Sequence, residues 1–375
     1  MNPRKSLAAA AAAVLAVTLQ AAPARADVAI TGSGSTFVSN YVEACRPIYT
    51  ADTGNNITYN ATGSGTGRSQ FNAGVVDFGA SDTVYSATEK TPASFVYVPL
   101  VAGAVAIMYN LPTVKQPLNL TNDTLAKIFA GQIKNWNDPA IAASNSVTTK
   151  VAKKDKSGKV MKDKKGKTIF VTSTKPIALP NVPIQVYYRS DKSGTTEVFT
   201  DYLNQVVPSV FTKAKNGTFT SAFPGTIPTD GSFQGASGSD GVSTGVKSKV
   251  GAITYAESSF AKERGLATVS LENAAGKFLQ PTSKAASAFL SNFEPGKNGT
   301  IKANFKNPDP DAYNLSSFAY GLAYTAGQSA EKSEAVKQFF TYLTSGKCTA
   351  NADRLGYAPL AGDALAVAKL QIANI

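Results

Sequence analysis

The chain has 375 residues, 43% of them hydrophobic and 17% charged, and 37 Lys and Arg against 25 Asp and Glu give a formal charge of +12. This composition is that of a globular protein long enough for two domains. The chain contains no histidine, which excludes catalytic Ser-His and Cys-His pairs and removes the usual nitrogen ligand of zinc.

The first 26 residues have the pattern of an export signal. Arg4 and Lys5 precede an alanine-rich apolar run, and residues 24–26 (ARA) are typical of a cleavage site. The mature chain is therefore predicted to begin at Asp27, with a formal charge of +9 once the leader and its Arg25 are removed. The apolar run is too short to span a membrane, and no cysteine follows it to receive a lipid. We expect an exported protein, periplasmic or secreted, that is not lipid-anchored.

Apolar and β-branched runs alternate with helix-like segments after the leader. Residues 28–34 (VAITGSG) and 56–65 (NITYNATGSG) have the pattern of strands that end in turns, and residues 36–54 and 67–77 have the pattern of the helices that follow them. This alternation predicts an α/β protein with a largely parallel sheet. Ligands of such sheets bind at the carboxyl ends of the strands, which is where the glycine- and serine-rich turns fall.

Three stretches of small hydrogen-bonding residues lie at predicted helix starts. They are Thr31–Phe37 (TGSGSTF), Thr62–Asp82 (TGSGTG through DFGASD) and Tyr188–Thr196 (YRSDKSGTT). Free N–H groups at a helix N-terminus, helped by hydroxyls and the helix dipole, bind anions without a large net charge. Three such sites that converge would enclose one small oxyanion. The third stretch adds an arginine, whose guanidinium binds oxyanions bidentately.

A second α/β region is predicted from Val96–Asn110 onward. Residues 121–124 (TNDT) have the pattern of a helix N-cap, and Leu125, Ile128 and Phe129 would share one face of that helix. The remaining predicted elements are a strand at 183–191, a helix at 194–207, a strand at 250–257, a return crossing to the first domain at 307–325 and an amphipathic helix at 329–346.

The charge of the chain is concentrated in one short segment. Nine lysines and two aspartates between Lys150 and Lys167 give a local charge of +7, so the rest of the mature chain carries about +2. The segment repeats an Asp-x-x-Gly turn pattern, which predicts an exposed hairpin at about 149–168, called the lysine hairpin below. A basic run without interleaved aromatics favours a solvated projection over a nucleic-acid site. The functional alternative is docking on an anionic surface such as lipid, an envelope polymer or a partner protein.

The motifs together, in this order, resemble those of the phosphate-binding proteins of bacterial ABC-type phosphate uptake systems. The matching segments cover most of the mature chain and are GSGSTF, GSGTG followed by VDFGASD, IFAGQIKNWNDPAI, RSDKSGTTEVFTDYL and DGVSTGVKSKVGAITYAE. The resemblance implies a type II periplasmic-binding-protein fold, an α/β architecture of two lobes, each a mostly parallel sheet flanked by helices, joined by two crossover strands. Lobe I would comprise residues 27–98 and 316–375, and lobe II residues 99–315.

The resemblance also implies a function. Inorganic phosphate would be captured between the lobes and delivered to an ABC-type phosphate permease in the membrane, by a monomer that is not an enzyme and needs no cofactor or metal. Matched by motif position, the implied phosphate-binding residues are Thr36, Phe37, Ser64, Asp82, Arg189, Ser193, Gly194 and Thr195, with Asp191 as the ion-pair partner of the arginine. Hydrogen phosphate has a proton to donate and sulfate at neutral pH has none, so a buried carboxylate such as Asp82 favours phosphate.

Structural interpretations of the same residues remain open. The Gly-Ser-Gly turns can serve loop geometry alone, Asp82 can cap a following helix, and Arg189 with Asp191 can form a purely structural ion pair. Arg68 departs from the family pattern, and either adds a charge near the cleft mouth or points to solvent.

Two further alternatives concern the cysteines and the activity. Cys45 and Cys348, the only cysteines in the sequence, are either disulfide partners, as an oxidising compartment favours, or two buried thiols. The alternative functions are binding of another oxyanion, envelope contact through the lysine hairpin, and a phosphatase with Ser64 or Ser193 as nucleophile beside Arg189.

Overall fold

The computed structural model describes residues 28–375, so the predicted export signal lies outside the described residues. The elements up to the middle of the chain are β1 (Ala29–Gly34), α1 (Ser39–Thr53), β2 (Asn56–Asn60), α2 (Ser64–Asn72), β3 (Phe78–Ser81), β4 (Phe95–Tyr109), β5 (Asn119–Leu120), α3 (Asn122–Phe129), α4 (Pro139–Ala143), β6 (Ser146–Ala152), β7 (Phe170–Pro176), β8 (Gln185–Arg189) and α5 (Gly194–Val206). Those that follow are α6 (Phe219–Ala222), β9 (Phe233–Ala236), α7 (Gly238–Ser248), β10 (Ala252–Glu257), α8 (Ser258–Arg264), β11 (Ala267–Thr268), β12 (Ser270–Glu272), β13 (Phe278–Leu279), α9 (Ser283–Leu290), β14 (Phe293–Pro295), a 3₁₀ turn (Lys297–Gly299), β15 (Ile301–Ala303), β16 (Ser316–Tyr324), α10 (Ala330–Leu343), α11 (Gly346–Thr349), α12 (Ala352–Leu355), β17 (Tyr357–Ala358) and α13 (Gly362–Ala373).

One large mixed sheet organises the protein. Its strand order is β2-β1-β3-β16-β4-β10-β8-β9, with β11 and β17 also paired to β4. β1 is parallel to β2 and β3, and β8 is parallel to β9 and β10. We call β1–β3 the first half-sheet and β8–β10 the second half-sheet. The antiparallel strands β16 and β4 lie between them, so within this sheet parallel pairing is confined to the two half-sheets.

Strand β4 connects the two half-sheets. Its residues from Phe95 to Ala104 pair with β16, and those from Val105 to Tyr109 pair with β10. All of its residues after Phe95 are buried, because helices or loops cover both faces, and such strands consist of continuous apolar residues. β16 returns the chain alongside β4, as the proline-rich segment before it predicted.

The predicted N-cap starts α3 where expected. The Thr121 side chain accepts a hydrogen bond from the Thr124 N–H at 3.1 Å, and Leu125, Ile128 and Phe129 of α3 are buried. Glycine permits α2 to approach β1, since a Cβ at Gly67 would lie 2.3 Å from the Cα of Gly34. The start of α2 is thereby held directly against the carboxyl end of β1.

Cys45 in α1 and Cys348 in α11 are buried and joined in a disulfide, with their Cα atoms 5.5 Å apart. The bond connects positions separated by 303 residues. It ties the first helix to the C-terminal helices, of which α10 packs on α1 and β1 and α13 packs on β4.

The segment from β14 to β15 packs beside the crossing strands. The Asn298 side chain donates to the Phe95 carbonyl at 3.0 Å, and the Ile301 N–H donates to the Tyr320 hydroxyl at 3.0 Å. These residues, assigned by sequence to lobe II, therefore contact β4 and β16 near their lobe I ends. The lobe boundaries near residues 98 and 316 stay a prediction.

The lysine hairpin consists of β6 and β7, paired from Ser146–Pro176 to Ala152–Phe170, and so occupies residues 146–176. Its tip contains the two predicted turns. An Asp155 carboxylate oxygen accepts the N–H groups of Ser157 and Lys159, and Asp163 does the same for the corresponding residues of the second turn. Between residues 148 and 176 every described side chain is exposed or half-buried, so the hairpin projects from the protein.

Candidate functional site

The predicted site residues meet where the two half-sheets face each other. β1, β3 and β8 each end there, and α2, α5 and α7 begin there. All eight residues implied to bind phosphate are buried, and hydrogen bonds and close contacts connect the motifs that carry them. The first strand-to-helix stretch differs from expectation, because its TGSG residues complete β1 and the helix begins only at Ser39.

Asp82 is the centre of this network. One carboxylate oxygen accepts a hydrogen bond from the Ser35 hydroxyl. The other accepts a hydrogen bond, 2.9 Å long, from the hydroxyl of Thr195, which belongs to the opposite half of the protein. The Asp82 N–H donates to the Ser64 hydroxyl at 3.2 Å. The residues after Asp82 form a bend and turns, so the interpretation of this side chain as the cap of a following helix is wrong. The carboxylate instead faces both halves of the protein.

A second set of contacts joins Thr36 to the opposite half. The Thr36 hydroxyl lies 2.9 Å from the Ser239 hydroxyl and accepts the Ser239 N–H at 3.2 Å. The Ser239 hydroxyl also accepts a hydrogen bond from Arg189 at 3.4 Å. Phe37 is fully buried, and its N–H points to the Ser35 hydroxyl at 3.0 Å. These groups comprise three hydroxyls, two N–H donors and one guanidinium.

Arg189, at the end of β8, is held by Asp191. Its Nε and Nη2 atoms donate to the two Asp191 oxygens at 2.7 and 2.5 Å, and the Arg189 side chain is only 1% exposed. The Gly238 N–H at the start of α7 also donates to Asp191 at 3.0 Å. The fork-to-fork geometry fixes the guanidinium plane, which leaves Nη1 free to face Ser239 and the cleft.

The start of α5 brings the second half-sheet against Ser64. Ser193 caps the helix by accepting the Thr196 N–H at 3.1 Å. Gly194 comes next, and a Cβ at that position would lie 2.4 Å from the Ser64 hydroxyl. Only glycine allows this approach, so the two helix starts face each other at close range. Further along, the Gly65 N–H donates to the Lys192 carbonyl at 2.9 Å, and the structure has the two halves in contact.

The pKa values of the two site carboxylates shift in opposite directions, because their partners outweigh burial at Asp191 but not at Asp82. Burial raises the pKa of Asp82 to about 6, although hydrogen bonds from Ser35 and Thr195 and the charge of Arg189 act to lower it. Burial acts to raise the pKa of Asp191 as well, but the bonds and charge of Arg189 and the Gly238 N–H outweigh it and lower that pKa. The Arg189 charge thus favours the ionised form of Asp191, whereas the protonation of Asp82 depends on the groups that lie beside it.

Arg68 is buried and does not point to solvent. It is 2% exposed, and its Nη1 atom donates to the hydroxyls of Ser81 and Thr83, each at 2.9 Å. Its Nη2 atom pairs with Glu89 at 3.2 Å. The alternative in which this side chain points to solvent was wrong, but its charge acts at the cleft from a buried position, because it is among the charges that act to lower the pKa of Asp82. Its hydrogen bonds to Ser81 and Thr83, the residues on either side of Asp82, support the position of the Asp82 carboxylate.

Two residues of the network were missed in the sequence. Ser35 precedes the predicted Thr36 and holds Asp82, while Ser239 receives Thr36 and Arg189. Ser35 was missed because the GSGST motif places two hydroxyls side by side, and the pattern does not say that both reach the site. The signal for Ser239 was present as the hydroxyl-rich residues 237–240 (SGSD), which follow β9 and open α7, like the other strand-to-helix turns.

A groove of about 460 Å³ reaches the network from outside at Asp82, between Val198 of α5 and Phe318 of β16. Within residues 28–375 no three His, Cys, Asp or Glu side chains form a cluster suited to a metal ion. Over the same range, none of the helices has the length and apolar character needed to cross a bilayer.

Known proteins resemble this chain over nearly its whole length. The profile of the PBP superfamily domain matches residues 20–347. The phosphate-binding protein PstS of Haemophilus influenzae is 30% identical over 359 residues, which cover 95% of this chain and 96% of that relative.

Solved structures resemble the fold. A high affinity periplasmic phosphate-binding protein, solved with bound phosphate, superposes with a TM-score of 0.66 at 24% identity, over 92% of this chain and 93% of that chain. An ABC-type phosphate transport receptor from Vibrio cholerae superposes with a TM-score of 0.50 at 18% identity, over 88% and 99% of the two chains.

Proposed function

The chain belongs to the PBP superfamily and, within it, to the PstS phosphate-binding proteins, and from this premise we propose how its cleft captures inorganic phosphate. The predicted type II periplasmic-binding-protein-like α/β fold is confirmed by the same matches. The protein is the phosphate-binding component of an ABC-type phosphate transport system, and inorganic phosphate and that transporter are its partners.

The observation that carries the mechanism is the convergence of Asp82, Arg189 and Thr195 in one buried network. A hydrogen phosphate placed among them would accept from hydroxyls, N–H groups and the guanidinium, and would donate its proton to the Asp82 carboxylate. Most of these donors are neutral dipoles that need no counter-ion when buried. The phosphate-binding residues proposed are Thr36, Phe37, Ser64, Asp82, Arg189, Ser193, Gly194 and Thr195, with Asp191 holding the guanidinium.

Capture proceeds by closure of two lobes about the crossing strands β4 and β16. The ligand first meets the helix starts of one lobe, and the second lobe then covers it and removes its remaining water. Contacts that hold the closed form include Lys192–Glu89 at 2.9 Å and the Thr83 hydroxyl to Glu197 at 3.0 Å. The transporter would act by separating these contacts and opening the cleft.

No catalytic step is part of the proposal. The Haemophilus influenzae relative is named as a binding protein, and a chain without histidine offers no imidazole base for a serine. Ser64 accepts the Asp82 N–H and Ser193 caps α5, so both hydroxyls have structural partners. The phosphatase alternative is therefore less well supported than simple binding.

The protein would work outside the cytoplasm. Residues 1–26 have the charge, apolar run and cleavage pattern of an export signal. We propose a periplasmic or secreted protein that is released from the leader and carries no lipid anchor.

The test is calorimetric titration of phosphate-stripped protein with phosphate and with sulfate, for the wild type, Asp82→Asn and Asp155→Asn. We expect 1:1 phosphate binding, and discrimination against sulfate on the order of 10²-fold or more, because sulfate leaves the carboxylate unpaired. Asp82→Asn would lose most of this discrimination, and the hairpin variant Asp155→Asn would keep it. Failure of folded wild type to bind phosphate would refute the function, whereas unchanged discrimination in Asp82→Asn would refute only the role of that carboxylate.

A further inference from the structure

We propose that the lysine hairpin, residues 146–176, is a docking element for an anionic lipid bilayer. The phosphate site makes no use of this segment, which follows α4 and leads into β8. Arg189 lies at the carboxyl end of β8, and residues 177–184 connect the hairpin to the other end of that strand, roughly 13 Å away from Arg189 along the strand. A surface bound by the hairpin would therefore leave the cleft open to phosphate.

The charge of the hairpin is not compensated within the protein. Its nine lysines between Lys150 and Lys167 form no salt bridge with any carboxylate of the described residues 28–375. The carboxylates of Asp155 and Asp163 accept hydrogen bonds from the backbone of their own turns. The ammonium groups are left to solvent, and a second hairpin of the same charge would repel them. Their complement is an anionic surface.

Apolar side chains are exposed among these lysines. Phe170 is 57% exposed, Val151 41%, Val171 39% and Val160 38%, which is half of the eight large hydrophobic side chains that are exposed in the described part of the chain. Val151 lies opposite Val171 across the ribbon, and Phe170 lies opposite Ala152. Since side chains alternate between faces along a strand, the pair and Phe170 project from opposite faces. Neither face is covered by the rest of the protein.

This combination favours a bilayer over a soluble polyanion. A two-stranded ribbon with both faces in water is marginally stable, and it gains from burying apolar side chains at the headgroup boundary while lysines attract anionic lipids. A polyanion offers no apolar phase for Phe170. The hairpin contains no arginine, the residue that recognises phosphate groups bidentately, whereas flexible lysines suit the diffuse charge of a membrane and let their stems lie on apolar groups.

The test is flotation of the mature protein with vesicles of phosphatidylcholine alone, or of phosphatidylcholine with about 30% phosphatidylglycerol. We expect binding to the anionic vesicles only, weakened by salt. Replacing Lys154, Lys156, Lys162 and Lys164 with Gln would weaken partitioning on the order of 10²- to 10³-fold. The matched control replaces four exposed lysines elsewhere and would bind nearly as wild type. These control positions are Lys213, Lys249, Lys306 and Lys369.

A second variant and a competitor separate the bilayer from other partners. Phe170→Ser would weaken vesicle binding about tenfold, and calorimetry would find phosphate affinity unchanged in every hairpin variant. The proposal would be overturned by equal binding to neutral vesicles, by an equal loss in the control variant, or by no binding to anionic vesicles. Displacement from vesicles by long-chain polyphosphate, with no effect of Phe170→Ser on either interaction, would assign the hairpin to a polyanion instead.

Discussion

The cleft and the lysine hairpin hold their charges in opposite ways. In the cleft, Arg189 and Asp191 are paired, Asp82 is 4% exposed, and the surrounding groups are hydroxyls and N–H donors. The hairpin carries a local charge of +7 in which every lysine faces water. The phosphate site proposed here is thus almost neutral, while the most basic segment of the chain lies elsewhere. Net charge locates an attractive surface, whereas selective binding depends on buried donors that the fold holds in place.

The two regions should respond differently to the loss of a charge, because the hairpin charges are in water and the cleft charges are not. A charge in water is screened, so removing one has little effect on distant binding. A charge in the closed cleft has lost its water and depends on a few protein partners, so removing one leaves another unpaired. Four substitutions, most of them compared with a control variant, test this contrast between the cleft and the hairpin. They are described from the largest expected effect to the smallest.

The largest effect is expected from Arg189→Gln. The change removes the charged donor and leaves Asp191, whose side chain is 14% exposed, without its partner, so phosphate affinity should fall about 10²- to 10³-fold. Lys164→Gln removes the same charge from the hairpin and should change affinity by about twofold or less. Calorimetric titration measures both, with circular dichroism as the check on folding. Similar losses in the two variants would contradict the contrast.

The second effect is on the pH dependence of stability, through Glu257. This side chain is fully buried, and burial raises its pKa from 4.5 to about 7 against hydrogen bonds from Ser259 and Ser258. The Glu257 carboxyl holds its proton more tightly in the native state than in the unfolded chain, so protonation of this group stabilises the fold. This contribution to the free energy of unfolding is complete below pH 4.5 and is lost as the pH rises to about 7. The free energy of unfolding therefore falls by about 3 kcal/mol over this pH range.

Denaturant unfolding at a series of pH values measures this fall in the free energy of unfolding, called the pH step below. The pH step should be absent from the stability curve of Glu257→Gln. The contribution of Asp82 is common to both proteins and cancels when the two curves are subtracted. Asp155→Asn in the hairpin should leave the step in place, because that carboxyl is exposed. Parallel curves for wild type and Glu257→Gln would show that the buried carboxyl does not titrate in this range.

The third effect concerns Arg68 as a positioning residue. Arg68→Gln removes the donors to Ser81 and Thr83, the neighbours of Asp82, and should lower phosphate affinity about tenfold, as expected for lost buried hydrogen bonds. The phosphate-to-sulfate ratio should fall with it, which a purely structural role would not cause. Arg46→Gln is the matched control, since that arginine is 41% exposed and pairs with Glu43. An unchanged ratio in Arg68→Gln would limit the arginine to stability.

The smallest effect is expected at a hairpin turn. Gly158 has φ +84°, and no atom lies within 4 Å of the point that a Cβ would occupy, so Gly158→Ala strains only the local backbone. The hairpin contains no buried residue from 148 to 176 in the described chain, so Tm and phosphate affinity should stay at wild-type values. Hydrogen exchange should become faster at the amides of residues 157–159 alone. A clear fall in Tm would mean that the hairpin contributes to the core.

The elements near the site were largely predictable, whereas several of their contacts were not. The strand at 183–191 and the helix at 194–207 were expected from local patterns and correspond to β8 and α5. The α/β class followed from the alternation of strand and helix patterns, and the phosphate function was implied by the resemblance of the motifs, in their order, to a known family; both are supported by the relatives. The partners of Arg68 could not be predicted, because its neighbours in sequence do not reveal that Glu89 and Thr83 lie beside it.

The sequence by itself determined where strands and helices form, the turn chemistry of the hairpin and the residue types offered at each helix start, because periodicity, caps and turns depend on residues a few positions apart. Only the tertiary structure decided that Ser35 and Thr195 share one carboxylate, that Ser239 meets Thr36 across 203 residues, and that Cys45 meets Cys348 across 303. Such contacts depend on how the helices pack on a sheet shared by distant segments, and no local pattern records that geometry.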